Sequence, residues 1–561
     1  MGSKWRVLQI SALFLLACLV GCSQSEPESN DSEPSLRDVQ IVFTDVTEAS
    51  GLGMFRHETG AFGEKWFPET MGAGGGFFDY NGDQILDIVL VAGSEFPSDS
   101  TVEQPALRLF QGSSEGTFID VTTESGLESI RSYAFGVNAA DYDNDGDADL
   151  FVTALFKNFL LRNDQGFFQE ITEEAGRGQY REWSTASVFF DANVDGWLDL
   201  YIGNYVQWTP EIDIFCTRVG DKKSYCTPEQ YEGISGRFYV NQGDGTFEER
   251  SEDFSGLPGK TLGASSLDYN KDRWPDLIVA NDTQNDLLFE NKGDGTFIEK
   301  GVTSGIAFDE NGRARAGMGL EMGVVDETGE ETVFIGHFSG EMVGVYRHAG
   351  SGIFIERAAV SQIGRTSLPT LTFGMILADF DLDSDLDLIT ANGHITDDIA
   401  EVEEGITFKQ LTQMYINVGN GRFSVAEPIG VLSDSLLGRG AAWADYDGDG
   451  DPDVLITENG GPAHLWRNDT EPGHSLTVQL IGTQSNKDAI GTRVRLKANG
   501  SWQERYVRNG TSYLSQSQQW PVFGLGMVET VDSLEILWPS GILNQMSTIP
   551  AGMLTLIEGE L

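Results

Sequence analysis

Short runs of alternating apolar residues recur along the chain, separated by glycine-bearing turns, which is the pattern of β-strands. One run recurs six times directly behind an acidic loop: DYNGDQILDIVLV from Asp79, DYDNDGDADLFVT from Asp141, DANVDGWLDLYIG from Asp191, DYNKDRWPDLIVA from Asp268, DFDLDSDLDLITA from Asp379 and DYDGDGDPDVLIT from Asp445. A seventh copy, DETGEETVFIG from Asp326, is degenerate. The widest gap between copies, from Asp191 to Asp268, holds two cysteines and reads as an insertion. A Phe-led strand precedes each loop, starting at Phe43, Phe118, Phe168, Phe247, Phe297, Phe354 and Phe423. A third strand follows each loop strand, often ending in Asn and a glycine turn, as in LLRNDQG and FYVNQGDG. Seven repeats, each able to make a small antiparallel sheet, predict an all-β fold, a seven-bladed β-propeller. The last third-type strand, His464 to Asn468, has no Phe-led strand after it, and the first Phe-led strand has no partner before it. Pairing these two closes the ring and removes two exposed edges; an open stack of repeats is the alternative.

The loops predict metal sites. Oxygens recur at positions 1, 3, 5 and 9: Asp79, Asn81, Asp83 and Asp87; Asp141, Asp143, Asp145 and Asp149; Asp191, Asn193, Asp195 and Asp199; Asp268, Asn270, Asp272 and Asp276; Asp379, Asp381, Asp383 and Asp387; Asp445, Asp447, Asp449 and Asp453. The carbonyl at position 7 completes each set, from Ile85, Asp147, Trp197, Trp274, Asp385 and Asp451. Six to eight hard oxygens suit calcium, and about six ions are expected. An EF-hand needs Glu at position 12, where this chain has Leu90, Val152, Ile202, Val279, Thr390 and Ile456, so the loops belong to β-hairpins. Glycine eases the turn at Gly146, Gly196 and Gly450; Gln84, Arg273 and Ser384 replace it, so those three sites are expected to be more strained or weaker. The Asp326 copy has Phe334 at position 9 and is expected to hold no strong site.

The chain starts with Lys4 and Arg6, an apolar run from Val7 to Val20, and Leu19-Val20-Gly21-Cys22. This reads as a secretory signal ending in a run that resembles the bacterial lipobox, with Cys22 as the lipidated residue. Residues 1–21 are then signal, and the acidic 22–39 a flexible tether. Ser23 after the cysteine favours the outer membrane or cell surface by the rule for such signals. Cys216 and Cys226 remain, and an exported pair predicts one disulfide, with a metal pair as the alternative. The chain has 561 residues, 87 acidic against 36 basic, and a formal charge of −51, which makes nucleic acid a poor partner. Six bound calcium ions leave it strongly acidic.

The loops resemble FG-GAP/VCBS repeats, the blades of integrin-α-type propellers. Farther on, IGTRVRL from Ile490, GTSYLSQS from Gly510, FGLG from Phe523 and WPSG from Trp538 resemble the ASPIC/UnbV domain. The combination is similar to the cartilage acidic protein family and its bacterial relatives. That resemblance implies a calcium-binding propeller over 40–470, exported, with a small β domain over 471–561 behind it; it implies no established reaction. No zinc motif is present, and Gly112-Ser-Ser114-Glu-Gly116 lies between strands, where a nucleophile elbow does not form. GAGGG, Gly72 to Gly76, leads into a strand and reads as tight blade packing. No catalytic residue is assigned. Two functions are expected: a binding or adhesion module for a protein or glycan at the cell surface, held to the membrane only by lipid; or an exported calcium-dependent carbohydrate-active enzyme, a lyase or hydrolase, which needs paired acids or a Lys/Arg/His group in one pocket.

Overall fold

Fold and burial follow from the Phe-led strands: their Phe is buried while the residue directly after it is exposed, so each lies at the outer rim of a sheet. In the computed structural model, which describes residues 40–60, 63–93, 104–176, 180–218, 220–470 and 473–560, seven four-stranded antiparallel sheets follow one another from Gly75 to Asn468. Cys22, the signal and the tether lie outside the described residues. The innermost strands are Gly75–Phe78, Ala134–Ala140, Ser184–Phe190, Thr261–Leu267, Leu320–Val324, Thr372–Ala378 and Gly438–Ala444. Each packs on the innermost strand of the next sheet, and the last packs on the first, closing a ring. The seventh sheet takes its outer strand from the other end of the chain: Phe43 lies opposite Asn468 and Asp45 opposite Trp466. The architecture is a β-propeller.

The Asn that ends a third strand does more than mark a turn. It faces the Phe of the outer strand in five sheets, as Asn241 faces Phe247 and Asn291 faces Phe297. Its side-chain amide donates backward to the neighbouring sheet's acidic loop: Asn163 to the Tyr80 carbonyl, Asn241 to Tyr142, Asn291 to Ala192, Asn468 to Phe380. The same amides donate to their own loops, at Ala148, Leu198, Pro275 and Pro452. One side chain thus satisfies two main-chain acceptors that adjoining sheets bring together, where an unpaired buried carbonyl is costly.

Beyond the ring, the C-terminal residues form a three-stranded sheet, in which His474–Ile481 runs parallel to Gly552–Ile557 and pairs Val522–Gly526, and a four-stranded sheet centred on Arg493–Ala498 and Thr530–Leu537. The sequence places this domain behind the propeller, but residues 508–519 leave it and enter the ring. They bond to the innermost strand of every sheet. Phe77 N–H donates to the Gln516 carbonyl, the Asn509 amide donates to the Ala139 carbonyl, and Phe189 N–H donates to the Asn509 side chain. Arg508 donates to the Ser266 carbonyl, and Ser512 N–H to the Leu320 carbonyl. The Ser512 hydroxyl accepts from Met375 N–H and donates to the Ala441 carbonyl. The physical reason is that the inner edges of the sheets converge with main-chain groups free, and a polar segment along the axis satisfies them. Val39–Leu561 accordingly form one compact unit.

GAGGG is where the segment presses closest. A Cβ on Gly74 would stand 1.6 Å from the Leu514 carbonyl oxygen, and one on Gly76 would stand 2.4 Å from that of Gln516. The insertion of the third sheet covers the opposite end. Cys216 and Cys226 are joined as a disulfide beside the short pair Cys216–Thr217 and Lys223–Ser224. Trp208 and Tyr231 are buried, Tyr231 stacking on Phe67 at 5.4 Å between centroids. These rings form a cover, while Phe215 is exposed.

Gly74→Val is expected to displace residues 508–519 and to lower stability by about 3 kcal/mol, the upper range of overpacking. Urea unfolding measures this, together with amide exchange at 508–519; an unchanged midpoint refutes the tight fit.

Candidate metal centres

The acidic loops join first to second strands and so lie together at one end of the ring. Their shape comes from carboxylates accepting main-chain N–H groups. In the Asp141 loop, Asp141 accepts from Asp145 and Gly146 at 3.1 and 2.8 Å, and Asp145 accepts from Asp147 at 2.9 Å. Asp149 accepts from Tyr142 and, on the adjoining strand, Asn163. Its counterparts Asp87, Asp199, Asp276, Asp387 and Asp453 accept at the same two places. At position 6, Gly146, Gly196 and Gly450 have positive φ, and so do Gln84 at 66°, Arg273 at 74° and Ser384 at 93°. Three side-chain-bearing residues therefore sit in a conformation that favours glycine.

The structure divides the six loops. Three of them bring three carboxylates within 4.8 Å of one another: Asp141, Asp143 and Asp149; Asp379, Asp381 and Asp383; Asp445, Asp447 and Asp453. In the other three, position 3 is Asn, and its amide donates to the position-5 carboxylate: Asn81 to Asp83, Asn193 to Asp195, Asn270 to Asp272. At position 7, the side chains of Trp197 and Trp274 lie against Gly243 and Gly293, and Ile85 offers only its main-chain oxygen. Asp147 accepts from Gln165 N–H, and Asp385 and Asp451 face their loops' other acids.

A hard divalent cation fits. The Oδ1 atoms of Asp143, Asp381, Asp445, Asp447 and Asp451 are buried and without a hydrogen-bond partner, in a class of group that is otherwise nearly always satisfied. Burial, then the neighbouring acids, pushes Asp141 up to about 8, Asp451 to about 9 and Asp381 to about 7. Burial above all raises Asp87 and Asp191 to about 7, Asp276 to about 8 and Asp445 to about 6, and lifts Asp149, Asp199, Asp379, Asp387 and Asp453 well above the usual carboxylate range. A bound cation supplies the charge that opposes this repulsion.

The degenerate loop is neutralised by the chain itself. Arg347 pairs with Asp326 at 3.3 Å, and Lys271 and His348 contact Glu330 at 2.7 and 2.6 Å.

The C-terminal domain is seated on these loops, a relation the sequence did not signal. Asp141 N–H donates to Asp488 at 2.7 Å, and Lys487 N–H to Asn144 at 2.9 Å. Ser384 donates to the Gly524 carbonyl and Gly526 N–H to that of Leu382. Asp445 N–H donates to Gln518. A further cavity of about 100 Å³ holds the nearest approach to a catalytic set, Glu321, Glu504, Arg505 and Arg508. Yet Arg508 pairs with Glu331 and Glu504 with Arg495, and the space suits only a few waters. Arg315, His337 and His394 are buried: Arg315 pairs with Glu356, His337 meets the Met342 carbonyl and His394 meets Thr396. Arg313 is exposed.

Residues 54–152 and 405–456 match the FG-GAP-like repeat, and residues 482–560 match ASPIC and UnbV. The chain carries FG-GAP-like repeats and an ASPIC/UnbV domain. It is similar at low identity to cartilage acidic protein 1: 22% over 454 residues of the Homo sapiens protein, covering 77% of this chain and 64% of that one, and 24% over 434 residues of the Xenopus tropicalis protein, covering 74% and 62%. The chain thus spans less than two thirds of these relatives. Among solved structures, an Agrocybe aegerita lectin overlaps at 15% identity and TM-score 0.39, over 70% of this chain and 87% of that one. A Bacillus licheniformis rhamnogalacturonan lyase overlaps at 12% and 0.34, over 70% and 71%. Overlaps this loose say nothing of function.

The raised acids predict a pH signature. They hold protons in the metal-free fold that the unfolded chain releases near pH 4. Between about pH 4 and 8 the folded state therefore binds more protons, and stability falls as pH rises. With saturating metal the trend reverses, because protons compete for the same oxygens. Metal-stripped protein is expected to melt at a higher temperature at pH 5 than at pH 8, and metal-loaded protein in the opposite order; scanning calorimetry at both pH values checks the sign.

Proposed function

We propose that the protein is an exported, calcium-binding propeller that serves as a binding or adhesion module at the cell surface, tethered by lipid on Cys22. The observation that carries the reading is the set of buried, unpartnered carboxylate oxygens in the FG-GAP-type loops, beneath a C-terminal domain bonded to those same loops. Calcium suits a flexible all-oxygen shell, whereas magnesium demands a tighter octahedron and gives up water reluctantly. The ion's role here is electrostatic and architectural. It cancels charge within each loop, and through Asp141, Leu382 and Asp445 it steadies the surface that holds the C-terminal domain. The accessible face of such a rigid body presents loops to a partner of protein or glycan class.

Two calcium classes are expected. Loops with Asp143, Asp381 or Asp447 at position 3 also have Asp at position 7, and so carry two more acids than those with Asn81, Asn193 or Asn270; charge count tunes affinity. Titration calorimetry is expected to resolve three tighter and three weaker sites; Asp143→Asn moves one site to the weaker class. A site filled at about 100 times its dissociation constant contributes about 2.7 kcal/mol, so chelation is expected to lower the melting temperature sharply and magnesium to restore it poorly. Asp145→Ala or Asp449→Ala in calcium costs more than Asp326→Ala. Equal melting in calcium and chelator overturns the calcium reading. Capture on glycan and matrix-protein arrays, with and without calcium, tests the module itself, and mass spectrometry of Cys22 tests the anchor.

A further inference from the structure

A groove runs between the C-terminal domain and the acidic end of the ring. It consists of two cavities of about 450 and 350 Å³ that adjoin at Gln84, Leu86 and Trp520. Each is within the range of small-ligand pockets, roughly 300–1,000 Å³. The larger opens onto the Asp445 loop and the smaller onto the Asp79 and Asp141 loops.

The lining combines an aromatic ring and aliphatic side chains with amides, hydroxyls and the acids of the loops. Trp520 is half-buried, packs against the apolar cluster that holds Phe77 and Leu86, lines both cavities, and donates no side-chain hydrogen bond to any described residue. Planar amides and hydroxyls surround it, among them Gln84, Gln519, Ser475 and Thr477. Gln84 is the telling member. It holds φ at 66° where Gly146, Gly196 and Gly450 stand in other loops, and its exposed amide bonds to no described side chain. Arg273 and Ser384 share that conformation in their own loops; at Gln84 the turn holds an amide at the junction of the cavities.

Building on the proposed module reading, we propose that this groove binds a neutral saccharide. A sugar ring presents an apolar face, which stacks on Trp520, and an equator of hydroxyls, which pair with amides and hydroxyls. A polyanion meets a wall of acidic loops and a chain of charge −51, and is disfavoured. The metal loops border the groove, so calcium holds its walls in register.

The test uses the full mature chain in calcium and tagged neutral di- to tetrasaccharides of glucose, galactose, mannose and N-acetylhexosamines, with binding read by fluorescence anisotropy. At least one probe is expected to bind, and Trp520→Ala to weaken it about tenfold or more. Gln84→Gly relieves the strained φ, so it is expected to keep or raise the melting temperature while still weakening binding; a purely structural residue does not give that combination. Trp502→Ala, at an exposed tryptophan on the strand Ser501–Tyr506 outside the groove, is expected to change nothing. No binding by any probe, or binding indifferent to both Trp520→Ala and Gln84→Gly, overturns the groove. If arrays still capture a ligand in that case, the module reading stands without the groove; if they capture none, both fall.

Discussion

The structure depends on how the free inner edges of the sheets are satisfied. Seven sheets meeting around an axis present inner-edge main-chain groups that no strand of the same sheet pairs, and only a few of them bond directly across to a neighbouring sheet, as Gly74 N–H does to the Phe135 carbonyl. Residues 508–519 bond to the innermost strand of each sheet in turn, from Phe77 round to Ala441. Serine, glutamine and asparagine suit that position because one side chain reaches two strands, as Ser512 joins Met375 to Ala441. Glycines at 74 and 76 suit it because carbonyl oxygens occupy the space a side chain would take. The C-terminal domain is therefore part of the ring's construction, and its sheets follow the segment to the acidic end.

At that end a second constraint operates. The loops hold buried carboxylates whose mutual repulsion grows with burial, and each loop meets it differently. The Asp326 loop recruits Arg347, Lys271 and His348. The Asn81, Asn193 and Asn270 loops put an amide against a carboxylate. The loops of Asp143, Asp381 and Asp447 leave oxygens without partners, which is the arrangement that calls for a cation. The Asn rivets tie four of the six acidic loops to the next sheet, so charge balance in one loop bears on the seating of its neighbour. Domain seating, loop shape and the groove beside Trp520 all rest on the same face.

Much of this is legible in the residues. Repeats of Phe-led strand, acidic loop and Asn-ended strand mark out the sheets, and the two orphan strands meet where the pattern requires, Phe43 beside Asn468. Spacing within one loop also makes the candidate ligand positions readable, since residues no more than eight apart are held together by the chain itself. What that spacing does not separate is Asp from Asn at position 3, because both offer an oxygen; only the fold shows which oxygens lack partners. The string GAGGG reads as tight packing, but its partner lies some 440 residues away in sequence, and no local pattern reports that contact.

The sequence by itself determined the β class, the repeat unit, the ring closure and the candidate oxygens, because each follows from local alternation, local spacing and the need to pair strand edges. Tertiary structure alone decided that residues 508–519 occupy the axis, that Asp488 stands beside Asp141, and that Trp520 and Gln84 share a groove. These are contacts between segments hundreds of residues apart, chosen by which unpaired main-chain groups and which open spaces the closed ring leaves behind. Those become defined only once the sheets have met.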